Sequence, residues 1–247
     1  MPYKIGLDRG HGGADPGAVK YVREVDVNTM VTRQLEAMLA ADPNYEPVLI
    51  CPYDKGFTIN QRAAVANPAG VRLMLSNHFN AGGGDGWECY PEVPRAAAHS
   101  RYQIHVDSLR FARLLAGQMA DIQQLRGDKG VQYKYSGADS YFGIIRLVNY
   151  PALLIENAFV DNQRDIEDFG TEEKVKKLSG RQYNAICQFF ATQPLFDKNA
   201  NPLAEKPQPP GKSKTKYRVY TLAAETEDFT AAAAAAAGKQ AIITVAE

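Results

Sequence analysis

Four short apolar runs, separated by segments of helical periodicity, decide what this chain can fold into. The runs are Lys4 to Leu7, Pro47 to Cys51, Val71 to Leu75 and Ala152 to Ile155. Between the first two, Val27, Met30, Val31, Leu35, Met38 and Leu39 recur at three- and four-residue steps, which predicts an amphipathic helix starting near Glu24. Thr58 with Gln61 forms a capping box for a helix through Ala66, stopped by Asn67-Pro68-Ala69-Gly70. Leu109, Ala112, Leu115, Met119 and Ile122 mark a longer helix, and Thr171 caps a last one carrying Val175, Leu178, Ala185, Ile186 and Phe189. Trp87 to Tyr90 offers one more strand. Strands that are apolar throughout must be covered on both sides. The alternation therefore predicts an α/β fold, a twisted, mostly parallel sheet with helices on both faces.

The strand ends carry the chemistry. His11, His78 and Glu156 each stand just past the carboxyl end of an apolar run, and Glu24 opens the helix after the first. Ligands of open α/β sheets bind in the crevice outside those ends, so four groups from distant parts of the chain can converge there. Two imidazoles and one carboxylate around an open position make a catalytic zinc arrangement, and a further carboxylate beside it can act as general base. Taken singly the residues are less telling. A carboxylate in a first helical turn, such as Glu24, complements the helix dipole, and by position alone that reading wins. Glu156 follows four apolar residues, so its competing reading is a buried structural ion pair. His11 lies within Gly10-His11-Gly12-Gly13, where glycine allows a sharp turn that leaves the ring exposed. His99 and His105 read as surface residues.

Charge and cysteine usage narrow the class. The 28 Lys+Arg balance the 28 Asp+Glu, which leaves no basic field for nucleic acid. The three cysteines are far apart and form neither a zinc-finger spacing nor a disulfide framework. Met1-Pro2-Tyr3-Lys4 runs straight into a strand with no leader-like region, and no apolar run reaches the roughly 20 residues of a membrane helix. The expectation is synthesis in the cytoplasm without a signal peptide, no membrane insertion, and action on its substrate after release.

His11-Gly12-Gly13 with Asp15-Pro16-Gly17, Arg23-Glu24, Ser76-Asn77-His78-Phe79-Asn80-Ala81 and Leu154-Ile155-Glu156-Asn157-Ala158-Phe159 together resemble the zinc-dependent N-acetylmuramoyl-L-alanine amidases of the amidase-3 family. Arg62 with Ala66-Asn67, and Gly86-Trp87-Glu88, resemble further blocks of it, in the family order from about Tyr3 to Ala191. The resemblance implies that His11, Glu24 and His78 bind Zn2+ and that Glu156 is the catalytic carboxylate. It implies bacterial peptidoglycan as substrate and cleavage between N-acetylmuramic acid and L-alanine, with a layout similar to phage endolysins and mother-cell sporulation amidases. Two departures stand out: Arg9 where the family has proline, and Asn77 where it has an apolar residue. Arg9 either alters the loop or touches an anionic substrate. A zinc peptidase acting on wall peptides and a non-catalytic wall-binding protein are the competing readings. The loops from Cys89 to His105 and from Gly127 to Gly143 are expected to shape the groove, with Tyr133, Tyr135 and Tyr141 available to stack on sugars.

Composition changes past Gln193. The stretch 195–215 is proline-rich and charged, a linker after a catalytic domain spanning 1–194. In 216–247 a strand pattern, the alanine run Ala231 to Ala237 with Gly238, and a second strand pattern form one small βαβ module, similar to half of a SPOR-type wall-binding repeat. So short a unit cannot bury a core alone, so it is expected to pair, giving a homodimer or docking on the catalytic domain.

Overall fold

A computed structural model describes residues 1–192 and three strands within 217–245. The chain divides into two units, Met1–Pro207 and Gln208–Glu247. In the first unit the central sheet contains β1 (Tyr3–Arg9), β2 (Tyr45–Leu49), β3 (Leu73–Asn80), β4 (Glu88–Pro91) and β7 (Ala152–Phe159) in the order β2-β1-β3-β7-β4. The first four are mutually parallel, and β4 runs antiparallel to β7 on the edge. A two-stranded hairpin, β5 (Tyr135–Ser136) with β6 (Asp139–Ser140), stands apart from that sheet.

Side chains alternate between the two faces of each strand, so one sheet feeds two cores. Ile5, Leu7, Leu73, Leu75, Leu153 and Ile155 are buried on the first face. Helices α1 (Glu24–Ala40), α3 (Tyr102–Met119) and α6 (Glu172–Thr192) cover it, contributing Val31, Leu35, Phe111, Leu115, Leu178 and Phe189, none of them measurably exposed. Each such side chain contributes on the order of 1.5–3 kcal/mol of burial. Met74, Ala152 and Leu154 face the other way, against Ala63 and Ala66 of α2 (Ile59–Ala66) and Ile144 and Ile145 of α4 (Gly143–Leu147). These two helices are short. Past Leu154 the second face runs out from under them, and the next residues in that row, Ser76 and His78 on β3 and Glu156 on β7, meet a cleft of about 480 Å³.

The parallel sheet with helices on both faces is as the apolar runs require. Thr58 and Gln61 form the expected capping box, and Thr171 caps α6. Boundaries shift where tertiary pairing overrides local pattern: β2 begins at Tyr45 to match Tyr3, and α3 begins seven residues before Leu109, at Tyr102. Two short helices, α4 and α5 (Gln163–Phe169), carry too little periodicity to be read from the sequence. In the second unit both expected strands are present as β8 (Tyr217–Thr221) and β10 (Ile242–Val245). They pair antiparallel, and an unanticipated third strand, β9 (Ala224–Thr226), lies on the other side of β8. The alanine run lies outside the described residues.

Candidate metal centre

His11 closes the turn after β1 in the left-handed region, φ 64°, followed by Gly12 and Gly13, also at positive φ. A non-glycine residue held there costs on the order of 1–3 kcal/mol and persists only where its surroundings fix it. Arg62 of α2 does much of the fixing. Its buried guanidinium donates to Asp8 Oδ1 (2.6 Å), to the Arg9 carbonyl (2.5 Å) and to the His11 carbonyl (2.7 Å), while Nε donates to the Phe57 carbonyl (2.9 Å). Gly10 N–H donates to the Asn77 carbonyl (3.0 Å), tying the turn to β3.

Glu24, the first residue of α1, turns inward rather than serving as an exposed dipole carboxylate, and it is 5% exposed. Its Oε1 lies 3.0 Å from His11 Nε2 and 2.9 Å from His78 Nδ1, while Oε2 accepts from Ala18 N–H (3.0 Å). The donor atoms of His11, Glu24 and His78 all fall within 4.8 Å of one another. Gly17 closes over them. A Cβ there would stand 2.5 Å from Glu24 Oε2 and 2.7 Å from His11 Cδ2, so only glycine fits. Behind His11, Asp15 Oδ2 sits 2.8 Å from Nδ1, where an outer carboxylate orients an imidazole and fixes its tautomer.

Electrostatics match a site waiting for a cation. Burial works against charge on His11, but hydrogen bonds to Glu24 and Asp15 overcome it and lift its pKa to about 9. Burial likewise opposes ionisation of Glu24, yet the two histidines hold its carboxyl far below the usual range. Two imidazole nitrogens and an ionised carboxylate oxygen, preassembled, suit a divalent cation that displaces the proton His11 holds.

Glu156 lines the same cleft beside this triad, its backbone in register with His78 on one side and Glu88 on the other. It is half-buried, and its Oε2 is sealed from solvent with no hydrogen-bond partner. Burial, reinforced by the nearby Glu24 and Glu88, outweighs the attraction of His78 and raises its pKa to about 7. Among the described residues Glu156 has no cationic side chain within ion-pair distance, and its Oε2 is unpartnered, unlike the buried pair that Asp8 makes with Arg62.

Several residues have roles the sequence did not disclose. Glu88 is nearly fully buried and accepts from Asn80, Tyr90, Arg126 and Gln132. Arg9 does not reach the cleft floor. It is 3% exposed and donates to the carbonyls of Pro52, Tyr53 and Lys55, so it anchors the loop after β2. Asn77 is explained by a polar cluster on the first face, where Asn157 Nδ2 and Gln182 Nε2 both donate to its Oδ1 (3.0 and 2.7 Å). His105, expected at the surface, is buried against the Glu92 carbonyl (2.9 Å), while His99 is exposed. Neither joins the cleft lining.

Fold and site together have the layout of a hydrolytic enzyme: a buried carboxyl beside a preassembled His/Glu/His pocket, at the carboxyl ends of a mostly parallel sheet. The chain belongs to the N-acetylmuramoyl-L-alanine amidase family, whose profile matches residues 5–188. It is 31% identical over 193 residues to the sporulation-specific N-acetylmuramoyl-L-alanine amidase of Bacillus subtilis, covering 76% of this chain and 68% of that protein. The amidase CwlM of Bacillus licheniformis is 30% identical over 191 residues with the same coverage, and the endolysin of Bacillus phage SPP1 is 26% identical over 87% of this chain and 75% of its own. Among solved structures, an N-acetylmuramoyl-L-alanine amidase of Clostridium difficile 630 superposes with a TM-score of 0.65 at 21% identity, covering 78% of this chain and 98% of that one. The chain is thus an amidase that acts on peptidoglycan.

Proposed function

We propose that the enzyme is zinc-dependent, that His11 Nε2, Glu24 and His78 Nδ1 hold the ion, and that Glu156 is the catalytic carboxylate. The observation that carries this is the convergence of three donors from β1, α1 and β3 within 4.8 Å, beside a Glu156 carboxyl poised near neutrality. Zinc, when bound, supplies a Lewis acid and lowers the pKa of a coordinated water toward roughly 7.

The chain's own groups do the rest. Asp15 keeps the Nδ1 proton of His11, which leaves Nε2 as the ligating atom. The glycine-lined turn keeps the His11 side of the cleft open to a branched polymer. Glu156 takes a proton from the attacking water and returns it to the departing L-alanine nitrogen, a task suited to a carboxyl that titrates near working pH. The glycan strand is thereby freed from its stem peptide.

The same reading extends to biology. Likeness to a phage endolysin over 75% of its length supports a role in host lysis, and likeness to a sporulation amidase supports the parallel role in the mother cell. No helix among the described residues is long and apolar enough to cross a membrane. Residues 216–247 are read as a wall-binding or dimerisation module.

Mass spectrometry of digested peptidoglycan tests the chemistry. The expected products are unmodified glycan strands and stem peptides with a free L-alanine amino terminus, lost on chelation and restored by zinc. Cleavage between amino acids instead would point to a peptidase. A Glu156→Gln protein that retained zinc and full activity would remove Glu156 from its role.

A further inference from the structure

One wall of the cleft is Phe142, Gly143 and Ile144, which follow directly on the β5–β6 hairpin. This segment is fastened from behind by a buried ionic clasp. Glu92, with no measurable exposure, accepts from Arg95 (2.5 and 2.8 Å) and Arg101 (2.8 Å). Arg95 continues to the Ala138 carbonyl and Asp139 Oδ1 (both 2.8 Å), and Arg101 to the carbonyls of Ile145 and Val148 (both 2.9 Å). Arg146 holds the Ser140 carbonyl (2.6 Å). Buried ion clusters contribute little net stability once desolvation is counted. What this one provides is a fixed position for a short, otherwise poorly supported wall.

Against that wall stands an uncompensated cation. Lys134 Nζ stands 4.3 Å from the centre of the Tyr141 ring and 5.4 Å from that of Phe142. Lys134 is exposed and has no acidic partner among the described residues, and the hairpin's own acid, Asp139, is taken by Arg95. Inward from it, Tyr90 meets the Phe142 ring edge-on at 4.8 Å, and its hydroxyl donates to Glu88, the register partner of Glu156. Two touching rings, Phe142 and Tyr90, therefore run from the lysine to Glu88, the residue opposite Glu156 on the neighbouring strand. Lys134 stands behind the lining residue Phe142, and the ionisable groups that line the cleft itself are acidic or histidine, apart from Arg62, whose guanidinium is committed to Asp8 and backbone carbonyls.

The substrate's chemistry selects the ligand. The muramoyl lactyl carboxyl is consumed in the scissile amide and the N-acetyl sugars are neutral, so free carboxylates belong to the stem peptide. An ammonium resting on ring faces keeps its hydrogens available and costs little to turn toward an anion. We infer that Lys134, carried by Tyr141 and Phe142, is a specificity-determining residue that binds a free stem-peptide carboxylate on the leaving-group side of the bond. This rests on the amidase reading above.

The test compares two soluble muropeptides that differ only in whether the acidic residue after L-alanine is free or amidated, using the full-length zinc-loaded protein. Wild-type enzyme should favour the free acid by about fivefold, through KM rather than kcat, as an exposed charge pair permits. Lys134→Met should collapse that ratio to one, and Lys134→Arg should restore most of it. A wild-type ratio of one, or a ratio unchanged in Lys134→Met, overturns the inference while leaving the amidase reading intact. Failure of the wild type to release a new L-alanine terminus from either muropeptide would bring down the amidase reading and this inference with it.

Discussion

Replacing Arg62 with methionine should separate what holds the fold from what shapes the site. The side chains of Arg62 and Asp8 are 5% and 2% exposed, and the substitution leaves Asp8 with Ser76 Oγ (2.6 Å) as its remaining side-chain partner. Removing one member of a buried pair costs about 3–5 kcal/mol, a large share of the 5–15 kcal/mol that stabilises a typical domain. The same change frees the His11 carbonyl and lets a left-handed residue relax, releasing about 1–3 kcal/mol of stored strain. Metal binding must then restore that geometry, which predicts roughly 5- to 150-fold weaker zinc affinity. Urea unfolding of the metal-free protein reads the first effect, and zinc titration against a competing chelator reads the second. Adding Asp8→Asn removes the unpaired charge, so the double variant should regain much of the stability but not the zinc affinity. A single variant that loses under about 1 kcal/mol, or a folded one that binds zinc as tightly as wild type, would refute this account.

Proton linkage in the metal-free protein gives a second prediction. His11, raised from 6.5 to about 9, contributes stability that is full below 6.5 and fades as pH rises through 9. Glu156, raised from 4.5 to about 7, acts in the same direction over its lower window, so thermal stability should fall from about pH 4.5 to about pH 9, and His11→Asn should flatten the upper part. Zinc affinity should move the opposite way, rising about tenfold per pH unit until His11 no longer holds its proton. Gln182→Leu leaves the Oδ1 atoms of Asn77 and Asn157 without its amide in a site closed to water, and should cost about 1–3 kcal/mol by chemical denaturation. Replacing all three by apolar residues should recover most of that. Light scattering should find the full chain dimeric and a chain ending at Pro194 monomeric; two monomers would remove the dimerisation role from residues 216–247.

The legible part of the molecule was the part written in local pattern. Apolar runs located the four parallel strands, and the polar residues that end them, His11, His78 and Glu156, were visible as interruptions. Glu24 was not legible in that way, because a first-turn glutamate looks the same whether it faces solvent or a metal; the resemblance to the amidase-3 family, not periodicity, selected it. Arg9, Arg62 and Arg101 act on backbone carbonyls more than 40 residues away, and no spacing rule encodes such a contact. Asn77 read as an oddity for the same reason, since its partners Asn157 and Gln182 lie 80 and 105 residues further along. Edge strand β4 was found, but its direction depends on β7, which arrives much later in the chain.

That order of arrival has its own consequence. During synthesis the three candidate zinc ligands are complete by residue 78, on strands and a helix that already touch. β4 follows, yet its ladder partner in the sheet is β7, which must slot between β3 and β4. Until then β3 presents an open, apolar edge, the kind of surface that invites misassociation. The strand that closes this edge is also the one that brings Glu156. A chain that has not finished building its sheet therefore lacks the proposed catalytic carboxylate, and on that proposal competence to cut the wall is acquired in the same step as a sealed fold.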